Sequence, residues 1–127
     1  MDKLTRAHAE EHVKSWIDAW NANDVDAVLA LFDPDFEFVS PKAQLVVGRP
    51  ALKGRQEIGD YWRAALAKLG RVEFRLDSVT VDSERREAVI LYRSMQGGVA
   101  KHVAELLRFD AAGKVAVYGE AFYGAEV

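Results

Sequence analysis

The sequence predicts an α+β fold, a strongly curved mixed or antiparallel β-sheet wrapped by three N-terminal helices into a cone. Three observations predict it. Apolar residues recur at helical spacing as far as Gly70, and from Val72 onward the period changes to two. Four strand-like runs then follow one another through short turns, DSERRE, Gln96-Gly97-Gly98 and DAAGK, as in an antiparallel sheet. The stretch from Trp16 to Pro41 collects two tryptophans, Phe32, Phe36, Phe38 and Ser40, side chains suited to line one cavity.

Helix one is predicted over Thr5 to Trp20, where Ala9, Val13, Trp16, Ile17 and Trp20 form one apolar stripe. Asn21 to Asn23 break it. Asp24 can cap helix two, whose buried face is Val25, Val28, Leu29 and Phe32, and Pro34 forbids continuation. Phe36, Phe38 and Ser40 share one face of a short strand, and 41–50 reads as a loop. Helix three is GRQEIGDYWRAALAKLG, with Ile58, Tyr61, Trp62, Ala65, Leu66 and Leu69 on one face and Gly70 as its stop. The strands are Val72 to Val81, Ala88 to Met95, Val99 to Phe109 and Val115 to Tyr123, with Gly113 free to take positive φ in the DAAGK hairpin.

The 127 residues suffice for one domain, 1–127, and half of them are hydrophobic, so a core needs no metal or disulfide staple. A net charge of −3 without a basic run argues against nucleic acid. There is no cysteine, no signal-like N-terminus and no apolar run long enough to span a bilayer. The expected location is the cytoplasm. No cofactor is expected. The segments Ala88 to Tyr92 and Val103 to Leu107 are apolar on both strand faces apart from Glu105, so the outer sheet face is expected to be covered by a second copy of the chain.

The patterns AWNANDVDAVLALFDPDFEFVSP, LKGRQEIGDYW and ELLRFDAAGKV, with the aromatic end strand, resemble the nuclear transport factor 2-like superfamily. Within it they look most like the SnoaL-like polyketide cyclases and the ketosteroid isomerases. The resemblance covers nearly the whole chain and implies the cone fold, an internal cavity for a small apolar molecule, and no cofactor. It also implies where to look for chemistry. Against the isomerase pattern, the tyrosine position falls on Trp16, the base position on Ser40 and the acid position on Glu105. That chemistry needs a carboxylate base and two oxyanion donors. Serine alone is no base, so steroid isomerisation is not expected.

Glu105 is the sharpest candidate. A carboxylate on an apolar strand face is costly unless it is paired or protonated. It is either an acid or base of raised pKa facing the cavity or a structural ion pair with Lys101 or Arg93. Ser40 is the second catalytic candidate. Trp16, Trp20, Phe32, Phe38, Tyr61, Trp62, Tyr92 and Glu120 are the ligand-binding candidates; for the three tryptophans plain core packing is the alternative, for Tyr61 and Tyr92 it is solvent or a partner subunit, and Glu120 fits either face. His102 has the wrong strand parity to meet Glu105. His8 and His12 have a metal-compatible spacing on helix one but no third ligand in view, so no metal site is expected. Two functions fit these residues. One is an isomerase, cyclase or lyase acting on an apolar carbonyl or polycyclic substrate. The other is a non-catalytic ligand-binding or dimerisation domain.

Overall fold

The computed structural model describes residues 3–127. Helix α1 runs over Arg6–Asn21, and the Thr5 side chain caps it by accepting the His8 amide at 3.1 Å. Its inward face buries Ala9, His12, Val13, Trp16, Ala19 and Trp20. Asn23 turns the chain with φ of 56°. Asp24 then caps α2 (Val25–Leu29), accepting the Ala27 amide at 3.0 Å.

Phe32 belongs to strand β1 (Phe32–Val39), not to the second helix. The strand absorbs Pro34 by a register shift between Phe32 and Glu37 against its neighbour, which suits a residue with no amide hydrogen to give to a ladder. The segment read as a loop is also structured. Ser40 caps a further helix, α3 (Pro41–Val47), with Pro41 at its first turn and Gly48 closing it at φ of 82°. A short strand, β2 (Ala51–Lys53), follows. The helices among the described residues are therefore four, ending with α4 (Arg55–Leu69), which buries Ile58, Gly59, Tyr61 and Trp62.

The remaining strands are β3 (Glu73–Asp82), β4 (Glu87–Gln96), β5 (Val99–Phe109) and β6 (Ala116–Glu126). The sheet has the order β2-β1-β6-β5-β4-β3. It is mixed, because β1 runs parallel to β6 while every other pair is antiparallel. Register shifts interrupt β3 near Asp77 and the β5–β6 pair at two places, and such bulges increase local twist. Cross-strand register fixes the two faces. Ile90, Glu105 and Ala121 align on the helix-covered side, whereas Leu91, Ala104 and Phe122 align on the other.

Candidate functional site

The inner face of the sheet and helices α1 and α4 enclose a cavity of about 100 Å³. Trp16 and Trp20 reach it from α1, Tyr61 and Trp62 from α4, Phe38 from β1, Tyr92 from β4 and Glu105 from β5. The helical spacing of the tryptophans and the alternation of the strands place these groups on one side each. The aromatic walls brace one another. Trp20 meets Trp62 edge-on at 5.0 Å between ring centroids, and Trp16 meets Tyr92 edge-on at 5.2 Å. Phe74 stacks on Trp16 at 5.5 Å and Phe38 meets Trp62 at 5.3 Å.

Glu105 is 4% exposed, and among the described residues neither Lys101 nor Arg93 pairs with it. Arg93 instead holds Asp77 at 3.1 Å on the outer side. Burial alone pushes the Glu105 carboxyl up to about 8, so it is mostly a neutral acid at pH 7. Tyr92 is raised well above its ordinary value, first by burial and then by the nearby Glu105 charge. Tyr123, at the rim, is pushed up to about 12 by partial burial, with the Ser40 hydrogen bond opposing the shift. Tyr61 is raised by burial, again with Ser40 opposing. The indole N–H of Trp16 is buried with no acceptor in the protein. Protonated Glu105 and Tyr92 therefore give the cavity hydrogen-bond donors on an apolar wall, a set suited to a lone acceptor atom such as a carbonyl oxygen.

Three candidates lie elsewhere. Phe32 is core, stacked on Phe36 at 4.3 Å, because its strand position turns it beneath α1. Ser40 is fully buried behind the cavity wall. Its oxygen accepts the Lys42 amide at 3.2 Å and lies 3.4 Å from the Tyr123 hydroxyl, so it positions rather than lines. Glu120 is on the outer face, where it accepts the Tyr118 hydroxyl, because its parity follows Tyr118 and Phe122 rather than Ala121. Lys42, Phe74 and Tyr123 also line the cavity, beyond the residues predicted from the sequence. Alternation from Phe74 and parity from Ala121 point to two of them. Lys42 was hidden in the stretch read as a loop.

The histidines of α1 are separately engaged. His8 Nε2 lies 2.8 Å from the Lys114 carbonyl oxygen. His12 packs edge-on against Phe109 at 5.0 Å, and burial, helped by His8, pushes its pKa down to about 4. Among the described residues no group of three His, Cys, Asp or Glu side chains is gathered. No helix among them is long and apolar enough to cross a membrane. His102 is exposed on the outer face, as its parity requires.

Residues 13–118 match the SnoaL-like domain. A SnoaL-like protein of unknown function from Burkholderia thailandensis E264 is similar at 30% identity, over 98% of this chain and all of that one, with a TM-score of 0.86. A protein of unknown function with a cystatin-like fold, from Methylobium petroleophilum PM1, is 26% identical over 97% of this chain and 80% of that one, with a TM-score of 0.79. A protein with a ketosteroid isomerase-like fold from Catenulispora acidiphila DSM 44928, in complex with trimethylamine, shares the fold at 20% identity. It covers 90% of this chain and 85% of that one, with a TM-score of 0.69. No curated protein matches the sequence. The fold is thus the nuclear transport factor 2-like, cystatin-like α+β architecture.

Proposed function

The chain belongs to the SnoaL-like family, and from that premise we propose that its cavity binds a compact apolar molecule through a carbonyl oxygen, with neutral Glu105 as the donor. One observation carries this reading. A buried carboxyl with no ion-pair partner among the described residues faces a cavity walled by aromatic rings. Left alone, that group is costly to bury, and a ligand acceptor offsets the cost. The volume of about 100 Å³ is below the roughly 150 Å³ that holds benzene elsewhere, so the cavity takes the carbonyl end of a slim chain rather than a ring system, and the rest of the chain extends past Leu69 and Tyr123 into the adjoining hollow. The trimethylamine held by the Catenulispora protein is a molecule of comparable compactness.

The same donor polarises a bound carbonyl. An isomerase, cyclase or lyase step here uses Glu105 as general acid, with Tyr92 as a further donor to a developing oxyanion. Ser40 holds the tyrosine rim in place. We also infer that two copies pair through the outer sheet face, where Leu91 and Phe122 are exposed on either side of Ala104.

The test is binding of 2-octanone, followed by tryptophan fluorescence and by the infrared stretch of its carbonyl. The expected result is saturable quenching, with the stretch lowered in wild type and restored in Glu105→Leu. A neutral hydrogen bond of about 1 kcal/mol implies a loss of roughly fivefold in affinity for that variant. An unshifted stretch in the bound ketone overturns the role of Glu105, and absence of binding overturns the reading as a whole.

A further inference from the structure

A second, wider hollow of about 390 Å³ adjoins the cavity and shares Lys42, Leu69, Gln96 and Tyr123 with it. Three lysines line this vestibule, Lys42 from α3, Lys68 from α4 and Lys101 from β5. Among the described residues none of them is in an ion pair with a carboxylate, although the chain as a whole carries a net charge of −3. Glu126 is the acidic group on the same rim, opposite Lys101 across β5 and β6.

The wall between the two hollows is built. The Lys42 ammonium sits 4.3 Å from the centre of the Tyr123 ring, at the boundary of both. Ser94, 7% exposed, lines the vestibule, and its oxygen accepts from Gln96 at 3.1 Å, which leaves the hydroxyl hydrogen free to donate. Burial first, and then the neighbouring Lys101, lower the Lys42 pKa, and a bound anion offsets both effects. A neutral apolar ligand uses none of these groups.

We propose that the vestibule holds the anionic end of the ligand, so that the molecule taken by the cavity is an amphiphilic oxo acid, its carbonyl beside Glu105 and its carboxylate among Lys42, Lys68 and Lys101. This rests on the carbonyl-binding reading above and extends it to a substrate class. The order of the two hollows sets the order of the ligand: apolar end and carbonyl inside, charge at the mouth.

A matched pair of probes separates the two ideas. The ketone 2-octanone and the anion 7-oxooctanoate have the same chain length and carbonyl position, and differ in a carboxylate at the far end. At low salt the oxo acid is expected to bind about tenfold tighter, the scale of one charge-assisted hydrogen bond. Raising the salt to about 0.5 M should shrink the ratio, because charges at a solvent-facing mouth are screened. The ratio should fall toward one in the Lys68→Gln/Lys101→Gln variant and persist in Lys101→Arg, with circular dichroism confirming both folds. If 2-octanone binds and the oxo acid binds no better, this inference is overturned and the carbonyl reading stands. If the oxo acid is preferred but the double variant keeps the preference, the lysines are not its site and the inference is overturned. If neither probe binds, both readings fall.

Discussion

The Asn21 side chain clamps the backbone of Phe74, accepting its amide at 2.7 Å and donating to its carbonyl at 3.0 Å. This one residue ties the end of α1, which carries Trp16 and Trp20, to edge strand β3, which carries Phe74. All three rings line the cavity. Asn21→Ala leaves two half-buried backbone groups without that partner, so a loss of about 1–3 kcal/mol is expected. Thermal unfolding should show it as a drop of several degrees, and amide exchange at Phe74 should accelerate. Unchanged exchange at Phe74 counts against the clamp.

The long amphipathic elements were legible because each buries one stripe. In α1 all the predicted apolar positions but Ile17 are buried, and in α4 Ile58, Tyr61 and Trp62 are, while Ala65 and Leu66 are half-buried and Leu69 is exposed at the open end; the alternation of β4 and β5 correctly separates Glu105 from His102. The stretch 41–53 was illegible by the same logic. Its apolar residues Leu45 and Val46 are 85% and 58% exposed, so no buried period exists to be read. The cap signals were present in Ser40-Pro41 and Gly48, and they alone mark α3. Phe32 departs from the predicted helix because a strand containing proline imitates a helix end. Glu120 follows a register irregularity at the start of β6, where counting parity from the hairpin fails.

Gly113 shows how the β5–β6 hairpin is seated. It has φ of 68°, and a Cβ there would lie 2.7 Å from the Lys3 carbonyl oxygen and 2.8 Å from the Leu4 amide. Those atoms are backbone and cannot rotate away. Gly113→Ala therefore combines left-handed strain of about 1 kcal/mol with a steric clash, and a total loss of roughly 2–3 kcal/mol is expected in denaturant unfolding. A cost below about 0.5 kcal/mol shows that the N-terminal segment moves freely off the hairpin.

The outer sheet face leaves Leu91 and Phe122 at 43% and 50% exposure on β4 and β6, the two strands that flank β5. A second copy covering them accounts for both. Light scattering behind size exclusion at micromolar concentration should give twice the 14.2 kDa chain mass, and Phe122→Asp should give the monomer. A wild-type monomer at that concentration removes the proposed dimer.

Two buried groups give the stability profile opposing slopes. The folded pKa of Glu105 is about 8 against an ordinary 4.5, so the folded chain keeps a proton that the unfolded chain has released. Its contribution is complete below about pH 4.5 and is lost as pH rises through 8. His12 works the other way. Its folded pKa is about 4 against an ordinary 6.5, so its contribution is complete above pH 6.5 and is lost as pH falls through 4. Each slope has a limit of about 1.4 kcal/mol per pH unit. Between pH 4.5 and 6.5 the two nearly cancel, and the wild type should be most stable on that plateau. Above it only Glu105 acts, and stability should fall toward pH 8. Glu105→Gln removes that fall and exposes the His12 slope, so the variant should gain on wild type from about pH 5 upward and exceed it clearly at pH 8. His12→Leu should do the reverse, with stability declining from about pH 4.5 onward. Urea unfolding of the three proteins at pH 4, 5.5 and 8 decides it. A wild-type curve that is flat from pH 5.5 to 8, with no gain in Glu105→Gln, would mean that the carboxyl is charged and solvated in the folded chain, and the neutral-donor chemistry would go with it.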